Sequence, residues 1–328
     1  MSASPTTPAE PSPIEAATQA FEHTRRNLFP FRFKTWLTLG LVAFLDQCGR
    51  GGMSGSFPGG QWRGPVVPGG ASDDGDAGLH EIAAWLGAHV GLVVAGTAVV
   101  LTFIIALSAL ILWVNSRATF VYVEDVATGR AEIARPWSAH ADAAWSYFGW
   151  RFAVAMGFFV ALVVIVGSAL AAVFTLRDNG YAIVVVLLVL VPLLIFIVVA
   201  ASLLAVALRD FVAPIQMAAG VTCGEGLRVV AGLVRAHPVA FFLYVVLKVV
   251  FGIAQGIVLF AAACFTCCCI LIPVVTQTFL QPIFYFERAW PLYLLRQMGY
   301  DLVSGAAAAS PPPDMPPPGS VPGIADGA

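Results

Sequence analysis

The chain has 328 residues, 59 % of them hydrophobic and 11 % charged, against roughly 45–50 % and ~25 % in soluble domains. A net charge of −2 gives no basic field for a nucleic acid to follow. Several uncharged runs reach or exceed the ~20 apolar residues that one bilayer-crossing helix needs. An ordinary water-soluble domain is thereby excluded, and an all-α polytopic membrane protein, with the lipid bilayer as its first partner, is expected.

Residues 1–13 are rich in Pro, Ser and Thr. They read as a disordered N-terminus, without the basic and apolar regions of a cleaved signal peptide. Residues 14–34 interleave Arg25, Arg26, Arg32 and Lys34 with Phe29, Phe31 and Phe33, a mixture suited to the headgroup layer as a first interfacial helix. Residues 35–45 are uncharged. They form a short first span if Lys34 snorkels and Asp46 sits near the opposite interface. Residues 49–79 form a flexible Gly-rich loop with three acids, Asp73, Asp74 and Asp76. Its GRGG stretch lacks the Gly-Lys-Ser/Thr ending of a phosphate loop. The acids read as a solvated loop rather than a divalent-ion site.

No Asp, Glu, Lys or Arg occurs from 82 to 116, and a second span is centred on 90–114. Residues 117–148 are polar and aromatic. Pro136 suits the first turn of a short helix, and Trp137, Trp145, Tyr147 and Trp150 suit an interfacial belt. Spans three and four cover 152–176 and 181–208, separated by the turn signal Arg177-Asp178-Asn179-Gly180, with a kink expected at Pro192. A second interfacial helix follows, with Leu227, Val230 and Val234 on one face, ending at Pro238. Residues 249–286 contain 38 positions without an Asp, Glu, Lys or Arg. This run holds most of spans five (239–266) and six (272–296), with a turn at 267–273. Gly252-x-x-x-Gly256 in span five would let another helix approach closely. The membrane domain is thus 14–300, followed by a disordered Pro/Ala-rich tail over 301–328.

This six-span plan places thirteen of the 17 Lys and Arg on one side and three on the other, with Lys248 within the membrane. The positive-inside rule then puts both termini and both aromatic–basic loops in the cytoplasm. The halves also echo each other. Phe120-Val121 precedes Gly129 as Phe211-Val212 precedes Gly220, nine residues from Phe to Gly each time. Each loop leads to an aromatic followed four residues later by a base, Tyr147 with Arg151 and Tyr244 with Lys248. A parallel internal repeat is expected.

The six cysteines are Cys48, Cys223, Cys264, Cys267, Cys268 and Cys269. Cys264-x-x-Cys267 has the spacing of half a zinc site, but with no second Cys/His pair nearby it reads as small apolar residues packing at a helix end. A disulfide between Cys48 and the 264–269 cluster is open, both lying near periplasmic ends. No cofactor or metal site is expected.

The costly residues are Lys248 and Glu287. Each lies nine residues inside its span from the cytoplasmic side, about 14 Å at 1.5 Å per residue. Gln255 and Gln281 fall one step deeper, as candidate polar helix contacts. Three arrangements remain open. Lys248 snorkels while Glu287 pairs with Arg288 or an interfacial base, the two form a structural pair, or they line a polar cavity open to the cytoplasm.

The segments AFEHTRRNLFPFRFKTWLTLGLVAFL, RDFVAPIQMAAGVTCGEGLRVV and CFTCCCILIPVVTQTFLQPIFYFERAWPLYLLRQMG resemble an uncharacterised bacterial integral-membrane family, a domain of unknown function. That family is distantly similar to the membrane domain attached to some glycerophosphodiester phosphodiesterases. The resemblance covers roughly residues 20–300 and implies a helical domain of the bacterial inner membrane, with no reaction chemistry. The function classes are a non-enzymatic module (transport-like, lipid-handling or scaffold), a structural subunit of a membrane complex, and a membrane-embedded enzyme. The enzyme is disfavoured because the histidines are scattered and neither HExxH nor a nucleophile elbow is present.

Overall fold

The structure, a computed structural model, describes residues 10–47, 87–176, 179–265 and 273–304, and all regular structure among them is helical. In chain order the helices are α1 (Pro13–Leu28), α2 (Phe33–Gln47), α3 (Val90–Thr128), α4 (Ala134–Ala139), α5 (Ala141–Thr175) and α6 (Gly180–Ala207). A π turn (Leu208–Val212) then leads into α7 (Ala213–Ala219), α8 (Cys223–Ala236), α9 (Pro238–Phe265), α10 (Pro273–Phe279) and α11 (Gln281–Gln297).

Local chemistry sets the boundaries. Ser12 accepts the N–H of Glu15 and Pro13 opens α1, where a missing N–H does no harm. Asn179 caps α6 by accepting from Ala182, a contact the sequence reading did not anticipate. Thr222 and Glu225 close a capping box on α8, satisfying two donors reciprocally. The extended helices that contain α3 and α7 stop at Gly129 (φ 69°) and Gly220 (φ 65°), left-handed positions where a side chain would be strained.

Among the described residues four helices are long and apolar enough to cross a membrane: α3, α5, the continuous Gly180–Ala219 stretch, and α9 over Pro238–Ala262. The 39 residues of α3 extend about 58 Å at 1.5 Å each, roughly twice the ~30 Å hydrocarbon core. Its first half is exposed and apolar, whereas burial begins at Asn115. The other three follow the same plan. No residue of α6 is buried, but all five of the π turn are. In α5 the buried aromatic is Tyr147 and in α9 they are Phe241 and Tyr244, all before the long exposed apolar stretch begins. The hydrophobic core therefore lies at one end of the molecule, where α1, α2, α8, α11 and the polar extensions of α3 and α7 pack together. Stretches apolar enough to lie in a membrane need no protein partner for their side chains, so burial concentrates where backbone and charge need one.

The sequence reading counted six spans, and two of those segments are not among the four. α2 has 15 residues. Its Asp46, expected near the opposite interface, instead bonds Arg209 and Arg288 in the packed end. The sixth segment is divided at Leu280. Pro282 has no N–H to offer the Thr278 carbonyl, so the helix restarts. The close approach that Gly252 and Gly256 would permit is not made among the described residues, where a Cβ at either meets nothing within 4 Å. It occurs at Gly40, where a Cβ would stand 3.0 Å from the Thr278 backbone. α6 runs through Pro192 without a break. On α8 the buried face is Cys223, Gly226 and Val230, with Val234 turned outward. Of the expected aromatic belt, Trp145 and Trp150 are exposed, whereas Tyr147 is core. Cys48 and three of the 264–269 cysteines, with Asp73, Asp74 and Asp76, lie outside the described residues, and so does the disulfide expectation.

Candidate functional site

Where the exposed apolar stretches enter the packed end, charged and amide residues meet. Arg209 and Asp210 follow α6 directly and are both buried, which an unbroken α-helix would disfavour by sending consecutive side chains 100° apart. The π turn makes the difference. Ala213 N–H bonds the Leu208 carbonyl instead of that of Arg209, a wider turn of the kind common at functional positions. The released Arg209 carbonyl accepts Nη1 of Arg288 at 3.0 Å. Pro214, lacking an N–H, leaves the Asp210 carbonyl without its helical partner and so favours the same local widening.

Around this turn three carboxylates and three cations interlock. Asp46 Oδ2 accepts Arg209 Nη2 at 2.9 Å, and Asp46 Oδ1 accepts Arg288 Nη2 at 2.7 Å. Arg209 Nη1 also donates to Glu287 Oε1 at 2.8 Å. Lys248 Nζ lies 2.9 Å from Asp210 Oδ2 and 3.2 Å from Glu287 Oε1. The six formal charges cancel. Neutral groups complete the shell. Thr119 Oγ1 donates to Asp46 Oδ1 at 2.7 Å, and Tyr244 Oη donates to Asp210 Oδ2 at 2.8 Å. Asn115 donates through Nδ2 to the carbonyls of Leu45 and Asp46, and its Oδ1 accepts from Arg151. The Arg288 guanidinium stands 5.7 Å from the centre of the Tyr122 ring, a cation–π contact strengthened by dryness. The Asp46 and Arg288 side chains are wholly inaccessible to solvent, so each ion depends on its partners to offset desolvation.

Of the residues singled out from sequence, Lys248 and Glu287 do meet, on α9 and α11. Neither is a simple partner for the other: Asp210 lies closer to Lys248, and Arg209 closer to Glu287. Gln281 is buried but turns to α3, donating to Tyr122 Oη at 3.3 Å. Gln255 is half-exposed, and among the described residues no hydrogen bond joins it to Gln281. Sequence reasoning missed Asp46, Arg209, Asp210 and Arg288 as site residues. Each stands at an end of an apolar run and so reads as an ordinary interfacial flank. The Arg209-Asp210 pair directly before an X-Pro segment was the available signal.

A second polar cluster joins α1 to the far tip of α3. His23 Nε2–H donates to the Val126 carbonyl at 2.7 Å, and Asn27 donates through Nδ2 to Nδ1 at 3.3 Å and to Tyr285 Oη at 3.1 Å. Burial, with Arg26 nearby, outweighs the carbonyl contact and holds the imidazole pKa below its usual value. On α8, hydrogen bonds from Thr222 hold the exposed Glu225 carboxyl below the usual range.

Residues 11–303 match a family of unknown function, DUF7544, and the chain belongs to it. No curated protein and no solved structure matches the chain.

Proposed function

We propose that this DUF7544 chain is a non-enzymatic membrane module, a scaffold whose packed end is locked beneath its spans by the buried ion network. The observation that carries the reading is charge balance. Three acids and three bases are drawn from α2, the π turn, α9 and α11, and each ion faces an opposite charge. Such a network is poor chemistry for catalysis, which needs an acid or base held at an unsatisfied pKa. It suits the fixing of one helix arrangement, a role in which buried polar groups specify register.

The finer topology is part of this proposal. The chain sits in a bacterial inner membrane with six crossings, four of them made by α3, α5, α6 and α9. Both termini and the packed end are cytoplasmic, as the distribution of Lys and Arg favours. The parallel repeat draws support from paired geometry. Phe120 meets Tyr147 edge-on at 5.5 Å, and Phe211 meets Tyr244 edge-on at 5.0 Å. Arg151 stands 5.4 Å over Tyr147, and Lys248 stands 5.9 Å over Tyr244. Gly129 and Gly220 adopt the same left-handed turn. Kinship with the phosphodiesterase membrane domain rests on the three sequence segments alone and carries no hydrolytic chemistry.

Purified protein reconstituted in liposomes tests the function. A scaffold leaves scrambling of labelled lipid and leakage of trapped ions at the level of protein-free liposomes. Protein-dependent scrambling or flux, abolished by Lys248→Met, would overturn the reading in favour of transport. Reporter fusions test the topology, with periplasmic signals expected at Ser72 and Asn179 and cytoplasmic signals at Gly129 and Gly224. Reversed signals at two of these sites would sink it.

A further inference from the structure

Between the exposed stretches of α3 and α5 lies an apolar groove of about 300 Å³, lined among others by Leu101, Ile105, Leu112, Phe152, Met156 and Phe159. Arg151 stands at the end next to the packed core. We propose that this groove holds an acyl chain of an anionic phospholipid whose phosphate rests on the Arg151 guanidinium. The inference builds on the membrane reading above.

Length, polarity and charge agree on this occupant. From Leu112 to Leu101 is eleven residues, about 16 Å along α3, which is half of the ~30 Å hydrocarbon core and so the depth of one leaflet. Arg151 is half-buried, donates Nη1 to Asn115 and stacks on Tyr147. Among the described residues no carboxylate pairs with it. A guanidinium carries five N–H donors in a planar fork matched to phosphate, and only one is engaged by Asn115. Its counterpart on α9 is different, because Lys248 is neutralised by Asp210 and Glu287. Arg117, on the same helix as Asn115, is instead covered by Trp113 and Trp137 and donates to the Trp137 carbonyl. Arg151 is thus a cation at the head of an apolar, bilayer-facing groove, without a counter-ion among the described residues. An anion that arrives attached to an apolar chain meets both halves of the site at once.

The test uses the full-length protein in mild detergent, with native mass spectrometry of bound phosphatidylglycerol and phosphatidylcholine of identical chains. Wild type should retain phosphatidylglycerol over phosphatidylcholine by about five-fold, the selectivity one basic residue gives near a charged headgroup. Arg151→Gln should bring the two lipids to parity. Arg151→Lys, which keeps the charge but not the fork, should retain part of the preference and serves where Arg151→Gln fails to fold. Ala155→Phe, which fills the groove, should lower retention of both lipids. An unchanged preference in Arg151→Gln, full retention in Ala155→Phe, or equal thermal stabilisation by inorganic phosphate would overturn the site. Release of the protein from membranes by alkaline washing would instead sink the membrane reading itself.

Discussion

Replacing Asp46 with Asn removes one negative charge from a network that balances, and leaves it with a net charge of +1. The carboxylate accepts from Arg209 at 2.9 and 3.3 Å, from Arg288 at 2.7 Å and from Thr119 at 2.7 Å. Asparagine preserves the shape, but its amide N–H₂ turns one oxygen into a donor facing a guanidinium. Removing one partner of a buried ion pair costs about 3–5 kcal/mol, because the remaining charge is left uncompensated. At 1.36 kcal/mol per factor of ten, the folded-to-unfolded ratio should fall by roughly 150-fold to 5,000-fold. By the scale of soluble domains of 150–250 residues, the melting temperature should drop by about 6–20 °C. The assay is thermal unfolding of detergent-purified protein followed by size-exclusion chromatography, with Arg288→Gln and the double variant alongside. The double variant restores charge balance and should be less destabilised than the sum of the singles by about 0.5–3 kcal/mol. A loss below about 1 kcal/mol for Asp46→Asn, the range of exposed ion pairs, together with strict additivity, would refute the reasoning. Asp46 would then sit at a wet interface, where the sequence reading had put it.

Three further outcomes follow from the same geometry. Lys248→Met should be rescued better by Asp210→Asn than by Glu287→Gln in double-mutant cycles, because Asp210 is the nearer partner and Glu287 keeps Arg209; the reverse order would remove Asp210 from the lock. Gly40→Ala should destabilise by about 1–3 kcal/mol through overpacking on the Thr278 backbone, whereas Gly252→Ala, facing open space, should be neutral or slightly stabilising, and equal melting curves for the two variants would contradict the α2–α10 contact. His23 has a pKa held below 6.5 by burial, so the folded state binds fewer protons than the unfolded one, and its contribution is complete above pH 6.5 and lost as pH falls. His23→Gln should therefore flatten the stability-versus-pH curve below pH 6.5, and an unchanged acid limb would place the imidazole in solvent.

Class and grain were legible in the residues themselves. Uncharged runs longer than a bilayer is thick force helices, because lipid offers backbone groups no partner. That argument yielded α6 and α9 with nearly the observed bounds. It found α3 and α5 as well, but ended α3 at 114 instead of Thr128 and began α5 at 152 instead of Ala141, and it marked Lys248 and Glu287 as residues whose position needs explaining. Charge in a span is expensive whatever it pairs with, so such residues stand out in one dimension.

Partner identity was not legible. Asp46, Arg209, Asp210 and Arg288 border apolar runs, the ordinary place for charges, and nothing along the chain says that they face inward. That was decided by the π turn, which brings two consecutive charges into the core and frees a carbonyl for Arg288, and by the packing of α2 on the polar extension of α3. Gly40 and Gly252 make the same point for glycine, since one lies against a backbone and the other against open space. Hydropathy is a sum over neighbours in sequence, and it sorts segments between water and lipid. Pairing depends on contacts as distant as Asp46 and Arg288, set by how the long helices cross, and only the tertiary structure fixes those crossings.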